Sequence, residues 1–188
     1  MNTKIIKIMA RFGTLSPIAG AAMILLSTSM DPSWSLNQSL SSLRSGGFSA
    51  VLFNSGLLMT GSLAMVYSAG LFEFTKGDLV GKIGSAAFLT YALSTCSLGI
   101  MIVDLGDAYY IIGKMLFIMI PLSAALLSIN LYRRGLRRYA APGLIAVIFG
   151  VAPWLIGGPV DAVKELVSLI PFNLWQLGLG LYLYRIKE

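Results

Sequence analysis

Residues 48–72 read FSAVLFNSGLLMTGSLAMVYSAGLF, with no charged side chain among them. A bilayer's hydrocarbon core is about 30 Å thick, and roughly 20 apolar residues of helix cross it. Within that core every backbone amide must find its partner inside the protein, so the stretch predicts a membrane-spanning helix. Five more stretches follow the same reading: 12–30, 83–103, 110–132, 141–157 and 163–184. Pro17 interrupts the first, and Gly157-Gly158-Pro159 closes the fifth.

Composition agrees. Apolar residues make up 56% of the 188 positions and charged residues 12%. A soluble domain carries about a quarter charged residues, so this chain lacks the charge to coat a wet surface. It has no histidine and one cysteine. Histidine-bound metal or haem, Ser-His and Cys-His catalysis and an internal disulfide are thereby excluded. The expected fold is all-α: a polytopic membrane protein with six transmembrane helices in an up-down bundle. Residues 1–188 are expected to form a single integral membrane domain.

Charge gives the orientation. Lys4, Lys7, Arg11, Lys76, Lys82, Arg133, Arg134, Arg137, Arg138, Arg185 and Lys187 fall on the side shared by the two termini. Arg44 and Lys164 fall on the other side, and Lys114 lies inside the fourth span. Cytoplasmic loops are enriched in Lys and Arg, so both termini are expected in the cytoplasm. The net charge of +6 is then a record of membrane insertion, and no nucleic-acid partner is expected. Arg133, Arg134, Arg137 and Arg138 are expected to meet anionic lipid headgroups. The basic start and the apolar run after it are read as a first span. That run is long for a cleaved signal and contains Pro17.

Small and weakly polar residues recur at helical spacing in several spans. They are Asn54, Gly61, Ala64 and Ser68; Ala87, Thr90, Ser94 and Ser97; Lys114, Pro121, Ala125 and Ser128; and Asn173, Gln176 and Gly180. Lipid supplies little hydrophobic drive between helices, so such residues mark the contacts. Ordinary packing accounts for all four stripes. Phe53-Asn54 and Phe172-Asn173 stand at matching depth in two spans of the same direction, a short echo of duplication.

Candidate chemistry is sparse. No Asp or Glu lies well inside a span, and Lys114 is the only Lys or Arg there, about a turn from its outer end. The third and fourth spans are joined through Asp104-Leu105-Gly106-Asp107. Asp104, Asp107 and Lys114 are therefore the catalytic candidates if the protein modifies a membrane lipid. Paired carboxylates also suit a divalent cation, although solvated loop acids need neither role. The first outer loop carries Leu36, Leu40 and Leu43 at i, i+4 and i+7, ahead of Gly46-Gly47. That pattern predicts a short interfacial helix, either a cover for helix ends or a lid. Trp34, Asn54, Lys114, Asn173 and Gln176 are the candidate ligand-binding residues of the outer half. No phosphate loop, nucleophile elbow or metal-ligand spacing is present, and no cofactor is expected.

The run Trp34-Ser35-Leu36-Asn37-Gln38-Ser39-Leu40-Ser41-Ser42-Leu43, followed by Ala50-Val51-Leu52-Phe53-Asn54-Ser55-Gly56-Leu57, carries a resemblance. It resembles the first outer loop and second span of prokaryotic membrane proteins catalogued as domain of unknown function 998. Gly13-Thr14-Leu15-Ser16-Pro17-Ile18-Ala19-Gly20 fits their first span, and the basic fourth loop and Trp175 in the closing span also fit. The resemblance covers nearly the whole chain. It implies six helices and an archaeal or bacterial plasma membrane, and it implies no activity. Many members have a proline-acid pair after the third span and a histidine soon after. Here Val103-Asp104-Leu105-Gly106-Asp107-Ala108-Tyr109 has neither Pro nor His.

The leading expectation is a non-enzymatic membrane protein that binds a lipid or amphiphile at its outer half, or serves as accessory subunit to other membrane subunits. A lipid-modifying enzyme is the alternative. An uncoupled transporter or channel is the third.

Overall fold

The computed structural model describes residues 2–44, 46–101 and 107–186. Six α-helices account for most of them: α1 Thr3–Ser29, α2 Gly47–Phe74, α3 Leu79–Ile100, α4 Asp107–Arg133, α5 Arg137–Leu155 and α6 Ala162–Tyr184. All six are long and apolar enough to cross a membrane, and there is no strand among the described residues. The chain is a multi-pass membrane protein.

Most helices are longer than the apolar stretches that predicted them. α1 starts at Thr3, where Asn2 caps it through a side chain that accepts the Ile5 N–H. Its 27 residues span about 40 Å at 1.5 Å per residue. The extra turns carry Lys4, Lys7 and Arg11, which composition alone excludes from a span. Backbone hydrogen bonding continues where hydrophobicity stops. Asp78 and Asp161 likewise cap α3 and α6, accepting from Val80 N and Lys164 N.

Each helix packs on its neighbours in sequence, and α6 returns against α1, so the bundle closes as a ring. Small residues permit this. A methyl group on Gly61 of α2 would lie 2.5 Å from the Cys96 backbone nitrogen of α3. At the α1–α6 seam, Gly180 lies against Gly13 and Thr14, and Gln176 Nε2 donates to the Gly13 carbonyl at 3.2 Å. Most of the predicted small-residue stripes are buried, among them Gly61, Ala64, Ser68, Ala87, Ser94, Ser128 and Gly180.

The interior differs between the two ends. The half that carries the termini is filled. Ile6, Leu71, Leu127, Leu131, Leu179 and Leu183 are almost wholly buried there. Above them Tyr67, Phe88, Tyr91, Phe172 and Trp175 form a buried aromatic layer, with ring centroids 5.0–6.0 Å apart between contacting neighbours. Trp175 Nε1 donates to the Tyr139 carbonyl at 3.0 Å, which satisfies the one polar atom of that ring. The distal half, away from the termini, is not filled.

The first long loop folds over this distal end. A helix through Leu36, Leu40 and Leu43 does not form. Helical structure is confined to one 3-10 segment, Leu40–Arg44. Leu40 and Leu43 turn inward against Phe53 and Ala162, whereas Leu36 stays exposed. Asp31 and Pro32 hold the preceding segment in turns, and Asp31 accepts from Ser33 N–H and Oγ. Polar residues at 37–39 offer local hydrogen bonds that compete with a regular helix.

Candidate distal cavity

Beneath the loop lies a cavity of about 630 Å³, bounded by all six helices. Its walls are mostly apolar, from Ile24, Phe53, Leu57, Leu98, Phe117, Leu166 and Leu169 among others. Polar lining comes from Ser39 and Ser41 of the loop, Thr60, Thr95, Tyr109, Lys114, Glu165 and Asn173. The cavity reaches as deep as Thr60 and Tyr91 and stops at the aromatic layer.

Two bonds hold the loop down. Glu165 Oε2 accepts the Leu40 N–H at 2.5 Å, and Ala162 N–H donates to the Gln38 carbonyl at 2.8 Å. Glu165 is only 7% exposed. As an acid in the first turn of α6 it also faces the positive end of that helix dipole. Glu165 is not among the site residues predicted from the sequence, yet it stands in the cavity wall. The available signal was its position four residues after Asp161, on the inward side of a capped helix.

The predicted ligand-binding residues divide. Lys114 and Asn173 line the cavity. Lys114 is exposed at its edge, with Nζ 4.1 Å from the Tyr110 ring centroid. Trp34 packs on the loop cluster instead, and its Nε1 donates to the Ser39 carbonyl at 3.3 Å. Gln176 reaches across the α1–α6 seam rather than into the cavity. Asn54 stays on α2, close to Gly99 of α3 through its backbone oxygen. No hydrogen bond joins Asn54, Asn173 and Gln176. The side-chain carbonyl oxygen of each is buried without a partner among the described residues.

The catalytic candidates do not assemble among the described residues. Asp107 opens α4 and forms no ion pair with Lys114, and Asp104 lies outside the described residues. No group of three or more metal-holding side chains occurs among the described residues. Lys164 is held elsewhere. Its Nζ donates to the carbonyls of Ile156, Gly157 and Pro159 and neutralises the end of α5.

Arg44 is the least expected residue. It is 5% exposed, and its guanidinium lies 4.1 Å from the Tyr109 centroid. None of its three nitrogens has a hydrogen-bond partner among the described residues. Burial holds its pKa below the ordinary arginine value, countered in part by Tyr109.

At the opposite end the four predicted headgroup arginines are all exposed. Arg133 lies 3.8 Å from Asp78. Arg134, Arg137 and Arg138 rest on the rings of Phe74, Tyr132 and Tyr139.

A family model described as a protein of unknown function (DUF998) matches residues 14–182. No curated protein and no solved structure matches the chain.

Proposed function

The chain belongs to the DUF998 family, and from that premise we propose a non-enzymatic membrane protein that binds one lipid or other amphiphile in its distal cavity. The observation that carries this reading is the asymmetry of the interior. A continuous pore needs polar lining at both ends, but here leucines and a layer of five aromatic rings fill the half beside the termini. The distal half keeps a cavity of about 630 Å³. That lies within the range of roughly 300–1,000 Å³ typical of small-ligand sites, which are mostly apolar with a few polar groups.

The distal end faces outside in this reading, because eleven basic residues gather at the other end. The cell membrane is the matching location. Arg133, Arg134, Arg137 and Arg138 then lie at the cytoplasmic headgroups, each attracted by about 1 kcal/mol.

Native mass spectrometry from mild detergent tests the reading. The wild-type chain is expected to carry one retained lipid mass. Gly113 lines the cavity, and a Cβ there meets no atom within 4 Å. Gly113→Trp is therefore expected to fold and to lose the adduct. A bare wild-type chain, or an equal adduct on the variant, contradicts the proposal.

A further inference from the structure

We propose that the amphiphile is acidic: a single long apolar chain ending in a carboxylate or phosphate, with that head on Lys114. This rests on the lipid-binding reading above and specifies its ligand.

The charged groups of the cavity wall are Lys114 and Glu165. They are not equivalent. Glu165 is buried and engaged by the Leu40 N–H, so its carboxyl is committed to holding the loop. Among the described residues Lys114 has the face of Tyr110 and no carboxylate within ion-pair distance. An ammonium at the edge of an apolar cavity, with a ring on one side and no counter-ion among the described residues, recognises an anion. Nearby acids have other employment. Asp161 caps α6, and Asp31 closes its own turn. Asp107 stands at the positive end of α4, unpaired with Lys114.

A second cation strengthens the sign. Arg44 lies on Tyr109, the residue beside Tyr110, and lacks any hydrogen-bonded counter-ion among the described residues. Tyr109 itself lines the cavity. Two cations on consecutive tyrosines in the first turn of α4 add to the positive end of that helix.

The walls also indicate a ligand that arrives from the bilayer. The loop is pinned at the distal end by the bonds to Glu165 and Ala162. Leu25 of α1 and Ile170 of α6 line the cavity and are 69% and 51% exposed. Nearer the termini α1 and α6 meet at Gly13, Gln176 and Gly180. In this proposal the apolar chain enters between the two helices from the membrane.

The test uses the full-length, delipidated protein and four probes of equal chain length: a fatty acid, a lysophosphatidate, a fatty alcohol and an alkyltrimethylammonium. Competition against a fluorescent fatty acid reads the affinities. At least one acid is expected to bind about tenfold more tightly than the alcohol, the scale of one charge-assisted hydrogen bond. The carboxylate or the phosphate arm identifies which head is preferred. Lys114→Gln is expected to bring the acids to the alcohol's affinity and leave the alcohol unchanged. Lys114→Arg should restore the preference. Equal binding of acid and alcohol overturns the inference, as does preference for the ammonium or equal loss of every probe in Lys114→Gln. In each of those cases chains still bind, so the lipid-binding reading survives. Failure of all four probes to bind wild type removes both.

Discussion

Gly61 and Gly113 are both helical glycines, and a methyl group added to each meets opposite surroundings. At Gly61 it would press on the α3 backbone, 2.5 Å from Cys96 N and 2.8 Å from the Ala92 carbonyl oxygen. Backbone cannot rotate away, so Gly61→Val forces α2 and α3 apart at a cost of about 1–3 kcal/mol. Gly113→Ala finds open space and is expected to stay within about 0.5 kcal/mol of wild type. Thermal unfolding in one detergent distinguishes them, and equal midpoints would refute the close packing described for Gly61. Asp78 makes a pH prediction. Asn130 Nδ2 donates to its Oδ2, and that bond, aided by Val80 N–H and Arg133, holds its carboxyl below the ordinary value of 3.8. A carboxylate depressed on folding stabilises the protein above its unfolded pKa, and the effect disappears as pH falls through the folded value. Asp78→Ala should therefore lower stability at pH 7 and flatten its decline below about pH 4. An unchanged acid limb in the variant would show that the Asn130 bond carries no such linkage. Gly61 was legible in the sequence as part of a small-residue stripe, and Gly113 was not. Which glycine touches backbone was not, since that depends on how two helices rotate against each other.

The loop between α1 and α2 shows why an element can be recognised and still be misjudged. Of its three spaced leucines only Leu40 and Leu43 are buried, and the helix that spacing predicted is reduced to Leu40–Arg44. Tertiary contacts decided this. Leu40 and Leu43 gain burial against Phe53 and Ala162, and Glu165 supplies an acceptor for the Leu40 N–H. None of these partners lies within the loop, so local pattern could not reveal them. Glu165→Ala leaves that buried N–H without its acceptor, at a cost of about 1–3 kcal/mol. The cost should appear locally. Hydrogen exchange is expected to accelerate at residues 38–44 and to remain slow in α3, where the helix bonds are untouched. Uniform acceleration through the chain would mean that Glu165 supports the whole bundle rather than the loop.

For the whole molecule, six spans were legible because membrane crossing imposes length and hydrophobicity directly on sequence. The closure of α6 on α1 and the emptiness of the distal half were not. Aromatic and leucine residues occur along every helix, and only their convergence at one depth leaves space at another. Tyr67, Phe88, Tyr91, Phe172 and Trp175 come from three helices and meet in one layer. The central claim is that the space above this layer receives an amphiphile's chain. Photolabelling in vesicles tests it most directly, using a fatty acid with a diazirine midway along its chain. The account predicts adducts concentrated on cavity residues 20–25, 53–60 and 166–173, and their loss in Gly113→Trp. Adducts spread instead over outward-facing residues such as Ile118, Ile129, Ile145 and Ile148, and unaffected by that substitution, would contradict it.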